Sequence, residues 1–369
     1  MNQPKPRILL LSAYDAASHQ RWRRQLIEGL PEFEWQVLSL PPRYFSWRIR
    51  GNALSWLNEP LLKESWDLIL ATSMTDLANI KGFHPGLAKV PCLLYFHENQ
   101  FAFPDSSQQF NSVEPQMINL YSAVAADHLL FNSDWNRRSF IDGVAALLKK
   151  LPDALPKGLP DQLLAKSSIL PVPIEDGLFS KPAKINNIEC PHLLWNHRWE
   201  YDKGPDRLLS FLQKLSSTGQ DFRLSLVGEQ FRQQPEAFNQ IQQTFAEQLL
   251  HAGYLDSAGD YQQLLQQADI VISTALHDFQ GLSMLEAMAS GCVALAPNRL
   301  AYPEYIPQSQ CYDSYPDDIE REAEAAVKQC LAWLKTSPEQ PPPDQWRLSS
   351  LLNQYRDVFK MYLSSFVSD

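Results

Sequence analysis

The chain is short of cysteine, of long apolar runs, of positive charge, and of glycine at one telling place. Its five cysteines, Cys92, Cys190, Cys292, Cys311 and Cys330, are odd in number, scattered, and never in a CxxC pair. That spacing excludes a disulfide framework and a zinc site built on thiolates, and it suits a reducing compartment. No stretch approaches the roughly 20 apolar residues of a membrane span. The apolar run in "MNQPKPRILLLSAYD" ends after "LLLS" and reads as a first buried strand rather than a leader. A formal net charge of −10 argues against a general nucleic-acid binder, leaving room for a local basic patch. The loop "SAYDAASHQRW" after the first strand has Ala16 and Ala17 but no glycine. A soluble cytoplasmic protein without a membrane partner is the expectation.

What is present is alternation. At 369 residues, 44% hydrophobic and 20% charged, the chain suits two globular domains. In the first half, "RILLLSA", "WQVLSL", "DLILATS", "CLLYFHE" and "HLLFNS" are short apolar runs ending in polar or small residues, with amphipathic stretches between them. "SHQRWRRQLIEGL" predicts a helix with Trp22, Leu26 and Leu30 on one face and Ser18 as its cap. Residues 151–188 are proline-rich and lack a period, and their latter part reads as a linker. The pattern restarts with "HLLWNHR", "RLSLVGE", "ADIVISTAL" and "CVALAPN", and a last helix follows "TSPEQPPPDQ". The fold class is α/β: a Rossmann-like domain over 1–172, a linker over 173–188, a second Rossmann-like domain over 189–340, and a helix over 341–369 packing back on the first.

Three constellations sit at strand ends, where open α/β sheets bind ligands. In "HDFQGLSMLEAMASG", Asp278 and Glu286 stand eight apart around a turn at Gly281, and the N–H groups of Gly281, Leu282 and Ser283 open a helix where an anion is favoured. A diphosphate suits that place, with Glu286 on ribose and Asp278 on sugar hydroxyls. A turn aspartate and an ordinary helix glutamate would give the same letters. In "WNHRWEYDKGP", Arg198 and Lys203 stand five apart, two cations able to neutralise a diphosphate without a metal or other cofactor, or simply exposed charges. Gly228 and Glu229 of "LVGE" follow the next strand. In "YFHENQFAFP", His97, Glu98 and Asn99 end a first-half strand, and in "FNSDWNRRSF" Arg137 begins a helix.

Together these segments resemble a family. "HDFQGLSMLEAMASG" is similar to the E-x7-E signature of retaining GT-B glycosyltransferases, with Asp278 one methylene shorter than the usual glutamate. "SHQRW", "LPPRYFSWRIRGNA", "YFHENQFAFP", "FNSDWNRRSF", "WNHRWEYDKGP", "VGEQFRQQPEAF" and "PNRLAYPE", in that order, resemble the tRNA-queuosine alpha-mannosyltransferase family. The resemblance implies two Rossmann-like domains facing across a cleft and transfer of mannose from GDP-mannose to the cyclopentene diol of queuosine in tRNA. It implies catalytic or donor roles for His97, Arg198, Lys203, Asp278 and Glu286.

No covalent nucleophile is evident beside the donor motifs, so front-face displacement is the expected mechanism. For the acceptor, residues 1–50 hold eight Lys/Arg against four Asp/Glu, and "RYFSWRIRG" interleaves Arg43, Arg48 and Arg50 with Tyr44, Phe45 and Trp47. Arginines there could meet phosphates while an aromatic stacks on a base. Core aromatics beside solvated arginines would read alike. Ser18, His19, Glu98, Asn99 and Arg137 complete the candidate acceptor set. Two alternatives stay open: a GT-B enzyme with another nucleotide-sugar donor and a lipid, glycan or small-molecule acceptor, and a non-catalytic protein binding nucleotide-sugar or RNA.

Overall fold

A computed structural model describes residues 4–102, 113–179, 183–231, 234–336 and 338–364. Phe103 and Pro104 of the "YFHENQFAFP" segment, Arg232 and Gln233, and the end of the last helix lie outside these residues. The chain divides into two compact units, one of residues 1–173 with 348–369, the other of 174–347.

The first unit carries β1 (Arg7–Ser12), β2 (Glu34–Ser39), β3 (Leu68–Thr72), β4 (Cys92–Phe96), β5 (His128–Phe131) and β6 (Ser167–Ile169). They form one sheet in the order β2-β1-β3-β4-β5-β6, with every pair parallel. Leu9, Leu70 and Leu94 are fully buried, as expected of central strands covered on both faces by helices. The covering helices are α1 (Ala17–Gly29), α2 (Phe45–Ser55), α3 (Leu77–Phe83), α4 (Glu114–Ala125), α5 (Asp134–Lys150) and α6 (Leu159–Ala165). Trp22 and Leu26 of α1 are buried as the spacing predicts. Ser18 is not its cap: the helix begins a residue earlier, Ala16 holds the cap position without a side-chain bond, and Ser18 is exposed in the first turn. The glycine-free loop before α1 is held instead by Asp15, which accepts from Ser12 Oγ at 3.0 Å and pairs with Arg23 at 3.0 Å.

The second unit carries β7 (His192–Asn196), β8 (Arg223–Val227), β9 (Leu249–Gly253), β10 (Ile270–Ile272) and β11 (Val293–Leu295). Its sheet is parallel in the order β11-β10-β7-β8-β9. Because β8 and β9 leave β7 on one side and β10 and β11 lie on the other, the strand order reverses between β7 and β10. Ligands of open α/β sheets settle at such a reversal, outside the carboxyl ends of the strands. Helices α7 (Pro205–Ser217), α8 (Glu236–Thr244), α9 (Ala258–Gln267), α10 (Leu282–Ala289) and α11 (Ile319–Thr336) complete the unit.

The proline-rich stretch is more ordered than its composition suggests. It contains α6 and β6, and Ile174 donates its N–H to Trp346 O at 2.8 Å, so residues from 174 onward go with the second unit. The last helix, α12 (Leu348–Ser364), belongs to the first unit. Its Tyr355 is fully buried and accepts from Trp22 Nε1 at 2.9 Å.

Candidate active site

In the second unit the residues at the strand reversal are joined by contact. Lys203 lies in the loop after β7 and is 8% exposed. Its Nζ donates to His277 O at 2.7 Å and lies 3.4 Å from Asp202 Oδ2 and 3.6 Å from Asp278 Oδ2. Asp202 and Asp278 are both kept ionised. Burial works against each charge, but His277, Lys203 and Arg198 hold the Asp202 carboxyl below its ordinary range. Lys203 and His197, with the Gly281 N–H, do the same for Asp278.

Asp278 does two things at once. While Oδ2 faces Lys203, Oδ1 accepts the N–H of Gly281 at 2.8 Å. The Gly281 N–H, expected to face a diphosphate, is therefore already bonded, because an aspartate three residues upstream reaches it as a short cap. Gly281 itself is required: it has φ of 76°, and a Cβ there would stand 2.2 Å from Tyr305 Oη. Helix α10 then carries Ser283, half-buried, whose hydroxyl is 3.4 Å from His197 Nδ1. Burial, then Lys203, pulls His197 down to about 4, so its ring is neutral at physiological pH.

Asn196, the last residue of β7, continues the series. Its Nδ2 donates to Ser283 O at 3.0 Å and to Tyr261 Oη at 3.2 Å, and Tyr261 Oη donates to Glu286 Oε2 at 2.9 Å. Glu286 is 5% exposed. Lys203, Asp278, Ser283 and Glu286, proposed from sequence, are thus linked through His197, Asn196, Tyr261 and Asp202, which sequence reasoning missed. His197 and Asp202 are direct neighbours of residues it did choose, so position beside Arg198 and Lys203 was the available signal. Tyr261 had none. Arg198 is exposed at the edge and pairs with Glu200 at 3.0 Å. Gly228 allows two loops to touch: a Cβ there would lie 1.8 Å from His197 O. The neighbouring Glu229 is exposed, and its carbonyl accepts from Trp199 N at 2.9 Å. Leu282 is half-buried at the first position of α10.

Behind these loops lies a buried ionic support. Arg299 donates through Nε to Ala275 O at 2.9 Å and through Nη2 to Thr274 O at 3.3 Å, on the segment leading to Asp278. Thr274 Oγ1 donates to Lys203 O at 2.9 Å. Glu322, 2% exposed, binds Arg299 and also Arg207 at 2.9 Å, and Arg207 sits in the first turn of α7 just after Lys203. The ring closes on itself.

In the first unit, His97 follows β4 and stacks on His19 of α1, with ring centroids 4.0 Å apart. Trp22 meets His97 edge-on at 4.7 Å. Burial and the neighbouring His19 hold His97 well below its ordinary value, so it is neutral. His19 Nε2 lies 3.2 Å from Glu98 Oε2. Asn99 is not available to an acceptor. Its Nδ2 is shared among Asn136 Oδ1 at 2.8 Å, Asn136 O and Ser139 Oγ, and its Oδ1 accepts from Phe101 N and Ala102 N, which fills the amide's capacity. Arg137 is paired with Asp134 at 2.6 Å, within its own helix. Arg43, Trp47 and Arg50 are exposed on and before α2, and Arg48 is half-buried there.

Among the described residues, no group of three or more His, Cys, Asp or Glu side chains could hold a metal ion, and no helix is long and apolar enough to cross a membrane.

The comparisons agree with this geometry. Residues 7–174 match the family described as tRNA-queuosine alpha-mannosyltransferase N-terminal, and residues 184–335 match glycosyl transferases group 1. A tRNA-queuosine alpha-mannosyltransferase of Drosophila melanogaster is 34% identical over 322 residues, covering 85% of each chain. Among solved structures, Anabaena HepE in complex with UDP has a TM-score of 0.61 at 13% identity, covering 97% of this chain and 100% of that one. Sucrose-phosphate synthase from Thermosynechococcus elongatus has a TM-score of 0.67 at 14% identity, covering 98% and 100%. Two parallel Rossmann-like sheets with this site at the second reversal make the protein a GT-B glycosyltransferase, an enzyme that uses a nucleotide-sugar donor. The chain belongs to the tRNA-queuosine alpha-mannosyltransferase family.

Proposed function

We propose that this protein transfers mannose from GDP-mannose to the cyclopentene diol of queuosine in tRNA, in the cytoplasm, with retention of configuration. The observation that carries the donor half is the contact series from Lys203 through Asp278 and Ser283 to Glu286 at the strand reversal. The 34% identity to a mannosyltransferase of that name supports the acceptor half.

The second unit holds the donor. Lys203 commits one ammonium proton to His277 O, and its looser carboxylate contacts give way to the diphosphate, with Arg198 closing from the edge after leaving Glu200. Glu286, oriented by Tyr261, accepts from ribose hydroxyls. Asp278 keeps Gly281 N and turns its other oxygen to a mannose hydroxyl. In the first unit, neutral His97 and the His19–Glu98 pair serve the acceptor diol and the reacting sugar.

The bond from the anomeric carbon to the diphosphate oxygen breaks, and the acceptor oxygen bonds to the same face of that carbon. The acceptor's proton passes to the leaving diphosphate oxygen, so no protein nucleophile is consumed. Lys203 and Arg198 stabilise the charge that accumulates on the departing nucleotide. The test is incubation with GDP-mannose and queuosine-containing tRNA, followed by nucleoside mass spectrometry. A hexose increment on queuosine is expected. Its absence from folded, donor-binding protein rejects the acceptor.

A further inference from the structure

We infer that Arg43, Tyr44, Trp47 and Arg50, at the start of α2, form a stacking platform for unpaired bases of the RNA substrate. The inference rests on tRNA being the acceptor, and it adds a surface apart from the residues assigned above to chemistry.

Residues 35–58 contain no Asp or Glu, in a chain whose net charge is −10, yet they contain Arg43, Arg48 and Arg50. Among the described residues none of these three arginines is paired with a carboxylate, whereas Arg23, Arg137 and Arg198 each are. An arginine cluster that acquires no internal counter-ion keeps its full charge for an external anion. The aromatics beside it are turned outward. Tyr44 is 70% exposed and Trp47 51% exposed, although both flank a helix whose inner face buries Ile49 and Ala53.

The presentation is built into the backbone. Tyr44 has φ of 54°, a left-handed conformation uncommon for an aromatic residue, and it caps α2 with its ring outside the core. The Arg43 guanidinium lies 5.6 Å from the Tyr44 ring centroid. Trp47 lies across Gly51, where a Cβ would come within 2.5 Å of the indole, so the missing side chain gives the ring a bed. Flat rings beside unpaired cations match the two faces of a single strand, bases for stacking and phosphates for charge. An anionic membrane would also attract cations, but here the outward apolar side chains at the helix start are aromatic rings interleaved with arginine rather than a continuous aliphatic face.

The test uses the full chain and labelled tRNA lacking queuosine, read by fluorescence anisotropy. Tyr44→Gly with Trp47→Ala should weaken binding roughly ten- to hundred-fold, with glycine suiting the backbone at position 44. Trp47→Phe, which keeps a stacking ring, should stay near the parent. Arg43→Ala with Arg50→Ala changes exposed side chains alone and should lower the slope of log affinity against log salt by about one. Unchanged affinity and slope in these variants overturn the platform. So does capture of the parent by phosphatidylserine vesicles that the same variants abolish while tRNA affinity stays put. Because mannose transfer is not read, loss of tRNA binding in the variants supports the platform even if queuosine is never mannosylated, which would count against the acceptor assignment instead.

Discussion

Arg299 and Glu322 form a two-point ion pair inside the second unit, Nη1 to Oε2 at 2.5 Å and Nη2 to Oε1 at 3.0 Å. The remaining face of the guanidinium holds Ala275 O and Thr274 O, and Thr274 in turn holds Lys203 O. Arg299 is thus a positioning residue, acting on the donor site through the backbone of two loops. Arg299→Ala leaves Glu322 buried beside Arg207 alone and should cost about 3–5 kcal/mol of stability. Arg299→Lys keeps the charge but loses the fork, so it should recover stability in part while donor KM stays raised. Urea unfolding and donor titration of both variants measure the two effects separately.

Lys203→Ala removes the cation shared by Asp202 and Asp278. Turnover at saturating donor should fall more than ten-fold, about the scale of one lost charge-stabilising group. Near-normal turnover would refute its role on the diphosphate.

Asp278→Glu restores the usual residue of the glycosyltransferase signature, yet it should not improve this enzyme. The shorter carboxylate bridges Gly281 N at 2.8 Å and Lys203, and an added methylene displaces both contacts. Helix α10 loses a cap worth about 1 kcal/mol. Thermal melting and kcat should both decline, and a gain in kcat would show that the cap does not matter to turnover.

Stability should depend on pH through His197. Its folded value near 4 lies below the ordinary 6.5, so between those values the unfolded chain binds a proton that the native site refuses. The contribution is complete above pH 6.5, is lost as pH falls towards 4, and is flat below that, totalling about 3 kcal/mol. His97, also shifted downward by burial, acts with the same sign. His197→Asn should shrink the fall in urea-unfolding free energy between pH 7 and pH 4.5. An identical fall in the variant would assign the dependence to other groups.

Much of the sheet was legible, for one reason. Central parallel strands are buried on both faces, so β1, β3, β4 and β7 read as unbroken apolar runs. The edge strands β6 and β9 were missed because they are short or half-exposed, and "SSI" and "LLHAG" carry no such run. At the site, Lys203, Asp278 and Glu286 could be chosen because their residue types and strand-end positions name a chemistry. Tyr261, Arg299 and Glu322 act through partners far away in the sequence, up to 25 residues off, and no local pattern encodes such a meeting. The amide of Asn99 illustrates the reverse error. Its place in the motif drew attention, while its bonds to Asn136 and Ser139 make it a strut.

Helix α12 has a consequence for biosynthesis. The first unit buries Tyr355 against Trp22 and Tyr95, and Phe359 against Phe33 and Trp35, so its core takes in side chains from both distant parts of the chain. A ribosome delivers residues 174–347 before it delivers α12. The unit translated first is therefore the one completed last, and the nascent polypeptide must shelter the Trp22 cleft, from chaperones if need be, until the message is almost read through.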